Sequence, residues 1–135
     1  MSLDWTDTAK RLAAHPKWEW LEGMLAKPDL DAQKFTPFIV LPQRIGRDGL
    51  LSSAPHFPDL TDWQTFGLVF GMVIEAGYFV EGQTDELVVQ RLDGKWGVNS
   101  LGWDGSGLYL ERDLADKETP GQALGELWLE LVEVA

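Results

Sequence analysis

The stretch LVVQRLDGKWGVNSLGWDGSGLYLER, residues 87–112, decides the fold class. Three runs rich in valine, leucine and aromatic residues are separated by two glycine-bearing turns, the pattern of an antiparallel meander. Asp93-Gly94 is a favoured two-residue hairpin turn, which sets Arg91 opposite Trp96 and Val89 opposite Val98. The second turn, GWDGS, is read as a five-residue loop from Gly102 to Ser106. Val98 then faces Leu110 and Trp96 faces Arg112, which keeps the apolar residues on one side of the sheet. A two-residue turn at Asp104-Gly105 would face Val98 with Glu111, a poorer match. The preferred register predicts a row of Arg91, Trp96 and Arg112, an indole between two guanidinium groups. Each such contact is worth about 0.5–1 kcal/mol when exposed.

Helical patterns stand on both sides of this meander. In PDLTDWQTFGLVFGMVIEAG, residues 58–77, Asp62 or Thr61 is placed to cap a helix and Gly77 to end it. Phe66, Val69, Phe70 and Val73 line one face, and Leu68, Met72 and Ile74 widen it, so a buried helix is expected. Gly67 and Gly71, four residues apart, are expected to admit a close neighbouring backbone. After the meander, Thr119, Pro120 and Gln122 read as cap, first helical residue and capping-box partner. Leu124, Leu127, Trp128 and Leu131 make the inward stripe of this last helix. Glu126, Glu130 and Glu133 make an outward acidic one.

Toward the N-terminus, Asp4 caps a helix with Asp7 in its first turn and with Trp5, Ala9, Leu12 and Ala13 on its apolar face. Pro16 ends it, because the residue before a proline is pushed out of the helical region. Trp18 and Trp20 follow. In a strand they share a face; in a helix they point about 200° apart. Gly23 disfavours a long helix, so an extended segment with both indoles turned inward is expected. Residues 27–36 read as a loop, PFIVLP (37–42) as a short strand near a sheet edge, and Leu50-Leu51 as a second short strand. Residues 52–58 read as irregular linker.

Composition narrows the function. There is no cysteine, which removes disulfides, thiolate nucleophiles and sulfur-ligated zinc or iron sites. The N-terminal MSLDWTDTAKRL lacks the apolar core of a signal peptide, and a cytoplasmic protein is expected. The longest apolar stretch, GLVFGMVI at 67–74, falls short of the roughly 20 residues of a membrane helix. Net charge is −11, and residues 68–135 hold 13 acids against 4 bases. Such a surface repels phosphate backbones and anionic lipid, which argues against direct nucleic-acid binding. A solvated face is the plain reading of that charge; contact with a basic partner is the sharper one.

Catalytic chemistry is hard to assemble from these residues. His15 and His56 are the only histidines, and neither sits at a metal-gathering spacing. No nucleophile elbow or phosphate loop is present, and GWDGSG joins strand to strand rather than strand to helix. Asp59/Asp62, Asp85/Glu86 and Asp113/Asp116 are close in sequence, but capping and turn roles account for the first two. No catalytic residue, metal ligand or cofactor is assigned, and a non-enzymatic role is favoured.

Three segments together resemble a group of small uncharacterised proteins of bacteriophages and prophages. They are LAAHPKWEWLEGML (12–25), FPDLTDWQTFG (57–67) and TPGQALGELWLELVE (119–133). The central motif of that group reads Pro-Asp-Leu-x-Asp-Pro-x-Thr-x-Gly; here Trp63 stands where its second proline would be. The resemblance implies an accessory protein of a mobile element and assigns no functional residue. The expected architecture is one α+β domain over residues 1–135, an antiparallel sheet with helices on one face in the order α-β-β-α-β-β-β-α. The first function expected is binding to an unidentified protein partner, through Glu126, Glu130 and Glu133. The alternative is a small-ligand-binding or hydrolytic domain with a pocket walled by Trp18, Trp20 or Trp103.

Overall fold

The computed structural model describes residues 4–28, 37–46, 49–50, 55–81, 84–103 and 109–134. Helix α1 (Trp5–Ala14) starts where a cap is available and stops where proline forbids more. Asp4 Oδ1 accepts from the Thr6 amide at 2.9 Å, and His15, ahead of Pro16, turns out to φ −74°, ψ 135°. Trp5, Thr8, Ala9 and Leu12 are its buried residues, and Ala13 packs beside them.

Between α1 and the second helix lie five short strands, β1 (Leu25–Pro28), β2 (Phe38–Ile39), β3 (Ile45–Gly46), β4 (Gly49–Leu50) and β5 (His56–Pro58). They form two small antiparallel sheets, one in the order β2-β1-β5 and one pairing β3 with β4. The strand expected within PFIVLP is β2, and it does lie at a sheet edge. The second expected strand, at Leu50-Leu51, is met by β4 at Leu50, and Leu51 lies outside the described residues. Two strands fall where loop and linker are expected, β1 and β5. Both contain proline, a poor strand former, and their pairing depends on distant partners. Leu25 N–H donates to Thr65 Oγ1 at 2.9 Å, and Asp59 N–H donates to the Leu25 carbonyl at 2.8 Å. Pro58 is accommodated because β5 is an edge strand. Phe57 of β5 is buried against Trp5 of α1, with ring centroids 6.0 Å apart.

Helix α2 (Trp63–Glu81) is capped by Asp62, whose Oδ2 accepts from the Thr65 amide and hydroxyl, each at 2.9 Å. It runs through Gly77, the expected stop, to Glu81; a helical glycine costs roughly 1 kcal/mol and does not by itself end a helix. Its burial also departs from expectation. Thr65, Val69 and Val73 form a buried stripe, whereas Trp63 and Ile74 are exposed. Among the described residues nothing lies within 4 Å of a Cβ built on Gly67 or Gly71, so no backbone approaches there.

The meander is β6 (Thr84–Leu92), β7 (Lys95–Trp103) and β8 (Tyr109–Lys117), in that order. Asp93 (φ 53°) and Gly94 (φ 77°) both have positive φ, as the tight hairpin turn requires. The expected pairs Arg91↔Trp96 and Val89↔Val98 are present. The second hairpin is corrected: Val98 pairs with Leu114 rather than Leu110, and Trp96 with Lys117 rather than Arg112, which faces Ser100. Gly102 and Trp103 belong to the strand and pair with Leu110 and Tyr109, and the rest of the expected loop, Asp104 to Ser106, lies outside the described residues. At Val98 the slip is four residues, an even number, and an apolar partner is kept on the same face. Between Val98 and Trp96 the register shifts again, next to Asp116 at φ 62°, the mark of a β-bulge.

Helix α3 (Pro120–Val134) lies across one face of this sheet and packs on α1 and α2 as well. Thr119 Oγ1 accepts from the Gln122 amide at 3.0 Å. Gln122 Oε1 accepts from Glu118 N–H at 2.7 Å, a capping box displaced by one residue. The expected stripe of Leu124, Leu127, Trp128 and Leu131 is buried. The fold is therefore α+β, with antiparallel strands and helices on one face of the meander. Among the described residues no helix is long and apolar enough to cross a membrane.

Two predictions follow from this packing. A Cβ on Gly121 would sit 2.5 Å from the Leu60 carbonyl oxygen, so Gly121→Ala should cost about 1–3 kcal/mol in urea unfolding. Gly67→Ala and Gly71→Ala, facing open space, should each stabilise by about 0.4–1 kcal/mol. The Asp4 carboxyl is held below its ordinary value of 3.8, chiefly by the Thr6 hydroxyl at 2.6 Å and then by the Thr6 amide. Folding lowers this pKa, so the cap's contribution is complete above the unfolded value and is lost as pH falls through the lower folded one. Asp4→Asn should flatten the acid limb of a stability-against-pH curve while leaving α1 capped.

Candidate functional site

The acidic face of α3 is not one surface. Glu130 and Glu133 are exposed, but Glu126 is only 18% exposed in its side chain and is turned toward α1. Its Oε2 accepts from Thr8 Oγ1 at 2.7 Å and pairs with the Arg11 guanidinium. Thr8 Oγ1 also accepts from Gln122 Nε2 at 3.3 Å, so the cap of α3 and the middle of α1 share one polar junction. Glu126 is thus used inside the fold, leaving Glu130 and Glu133 as the free part of the stripe. At the end of the helix, Lys17 Nζ donates to the Val132 carbonyl at 3.3 Å, a cation at a helix C-terminus.

Trp18 closes the turn that follows α1, its N–H donating to the His15 carbonyl at 3.0 Å, and Trp20 lies two residues beyond in irregular chain that joins no strand. Their rings meet edge to face at 5.7 Å, and Trp18 meets Trp128 in the same way at 5.9 Å. Both are partly buried and pack against the core. Both also line a cleft of about 370 Å³ together with His15 and His56. Trp18 Nε1 is fully buried and has no hydrogen-bond partner among the described residues. An unmade hydrogen bond of this kind costs about 1–3 kcal/mol. Trp103 stands at the end of β7 opposite Tyr109, and its side chain lies outside the described residues.

A third feature comes from none of the expected site residues. Trp63, the first residue of α2, is 65% exposed, and its ring is held edge-on by Phe66 at 5.5 Å and Trp96 at 6.3 Å. The Arg91 guanidinium lies 5.9 Å from the centre of the Trp96 ring, so half of the expected cation–indole row exists. Arg112 is not its other half, because the register places Lys117 opposite Trp96. Leu92, 66% exposed, alternates to the opposite face of β6 from Arg91, and a cleft of about 400 Å³ at the bulge is lined by Gln90, Leu92, Lys95 and Asp116. Indole and guanidinium therefore gather where α2 begins and the first hairpin turns. The sequence signal was Trp63 itself, an indole at the first position of a capped helix, ahead of the buried stripe.

The close pair Asp59/Asp62 has structural work, and the side chains of Asp85, Glu86 and Asp113 lie outside the described residues. Asp62 caps α2, and Asp59 Oδ1 accepts from the Thr61 amide at 2.9 Å and from its hydroxyl. Among the described residues no three of His, Asp and Glu converge as metal ligands would. Comparison of the chain with protein-family models, curated proteins and solved structures gives no match.

Removing the Glu126 carboxylate should strand the Thr8 hydroxyl at the helix junction and leave Arg11 its pairing with Asp7 at 3.5 Å. Glu126→Ala is expected to cost about 1.5–3 kcal/mol in chemical unfolding, whereas Glu130→Ala and Glu133→Ala, at exposed positions, should each stay within about 0.5 kcal/mol.

Proposed function

We propose that this chain is a non-catalytic protein-binding module, a cytoplasmic accessory protein of a phage or other mobile element. Its contact surface is the cluster around Trp63 and Trp96 rather than the acidic face of α3. The observation that carries the reading is the 65% exposure of Trp63, an indole held by two aromatic neighbours on a helix terminus. Burying such a ring in a partner gains its apolar area, and little side-chain entropy is lost because the ring is already positioned. Tryptophan and arginine are the residues most often dominant in binding energy, and Arg91 lies against Trp96 in the same cluster. The net charge of −11 then acts at longer range, steering a basic partner toward the module and repelling nucleic acid. Glu130 and Glu133 belong to that field. The mobile-element setting follows the resemblance of the three sequence segments.

The reading is tested by comparing variants for capture of a partner from host cells, followed by titration with the purified partner. Trp63→Ala should lose binding by about 100-fold, the scale of an interface hot spot, while costing the fold only about 1–2 kcal/mol from lost ring contacts. Glu130→Lys combined with Glu133→Lys should slow association and leave most of the affinity. If the charge reversals abolished binding while Trp63→Ala left it intact, the contact would belong to the acidic face.

A further inference from the structure

Two of the four bases in residues 68–135, Arg91 and Lys117, flank one ring of the Trp63 cluster. In the register of the meander Arg91 stands opposite Trp96 on β6 and Lys117 stands opposite it on β8. Cross-strand partners share a face, so the row holds an indole between two cations, with Lys117 where Arg112 was expected. The Arg91 guanidinium lies 5.9 Å from the centre of the Trp96 ring, and a guanidinium beside a ring keeps N–H donors for a carboxylate. Among the described residues neither cation forms an ion pair, although Asp93, Asp116 and Glu118 are close in sequence. Asp59 and Asp62, the acids nearest Trp63 in the chain, already accept from the amides and hydroxyls of Thr61 and Thr65. Trp63 itself is 65% exposed, and its ring lies 6.3 Å from that of Trp96. Beside an open indole, the acidic half of the chain thus presents two unpaired positive charges.

We propose that the partner segment received here carries an aromatic residue directly beside a glutamate or aspartate. This rests on the reading of the Trp63 cluster as the contact surface and adds the chemistry of what that surface contacts. The partner's ring packs on the open part of Trp63, and its carboxylate accepts from Arg91 and Lys117. Trp63 and Arg91 each stand about one ring from Trp96, so adjacent side chains of one segment reach both. A carboxylate is preferred over an amide or an ammonium because both flanking groups are cationic donors, and charge-assisted hydrogen bonds are the stronger kind. The net charge of −11 acts at longer range on the partner as a whole, while the contact is decided by the cations beside the ring.

The test is titration of the full chain, ¹⁵N-labelled at tryptophan, with the blocked peptide acetyl-Gly-Phe-Glu-Gly-amide and with its Phe-Gln and Phe-Lys counterparts. The Phe-Glu peptide should move the indole N–H resonance that is missing from Trp63→Phe. It should bind about tenfold more tightly than the Phe-Gln peptide, the scale of one charge-assisted hydrogen bond. The Phe-Lys peptide should bind most weakly. Arg91→Gln combined with Lys117→Gln should bring the Phe-Glu and Phe-Gln peptides to within about twofold of each other. Neither position belongs to the buried core, and the dispersion of the remaining indole resonances checks that the double variant folds. Equal responses to the Phe-Glu and Phe-Gln peptides would overturn the proposal, as would tightest binding of the Phe-Lys peptide or a preference that survives the double variant. A Trp63 resonance unmoved by all three peptides at millimolar concentration would overturn it too. Capture of a host partner by the unaltered chain but not by Trp63→Ala would still support the contact surface in each of those cases, so the two failures are told apart.

Discussion

The burial of one face of α3 is the constraint on which the rest of the structure depends. Leu124, Leu127 and Trp128 are enclosed there, and α3 touches α1, α2 and the meander. Two close approaches to α3 are permitted by glycines. Gly121 lets the Leu60 carbonyl approach the first turn, and Gly125 admits the Leu12 side chain of α1. The polar seam of Thr8, Gln122 and Glu126 then sets how α1 lies along α3. A charge that reads as surface decoration is, at Glu126, part of the helix junction.

This arrangement explains why the aromatic residues divide as they do. Trp128 is drawn into the core by α3, and Trp18 meets it edge to face, so the turn after α1 is anchored and the cleft beside it is formed. On the opposite side of its buried stripe, α2 has no described neighbour at Gly67 and Gly71. Its first residue, Trp63, therefore stays in solvent, supported from the side by Trp96 of the meander. Buried Trp128 and exposed Trp63 are the same residue type, and position relative to α3 separates them.

Much of the fold was legible because local rules decided it. The caps at Asp4, Asp62 and Thr119, the stop before Pro16 and the Asp93-Gly94 hairpin depend on residues within a few positions of each other. Strands β1 and β5 were not legible. Each is short and contains proline, and each is held by Thr65, by Trp5 or by the other strand. The second hairpin was legible in its face but not its register, because a glycine at position 102 marks a turn and a strand equally well. Of the site, Trp18 and Trp20 could be named as neighbours, but nothing local foretold that His15 and His56 would meet them across the cleft.

By itself, then, the sequence determined where helices begin and end at capped positions, which residues face the core of α3, and that the strands pair antiparallel. These outcomes follow from hydrogen bonds and side-chain periodicities that act over one or two turns. Tertiary structure decided which apolar faces were covered, which acid became a partner of Arg11, and which indole N–H was buried without an acceptor. Those depend on which distant surfaces meet, and burial is won by the best-fitting pair of faces, whatever the hydrophobicity of either face taken alone.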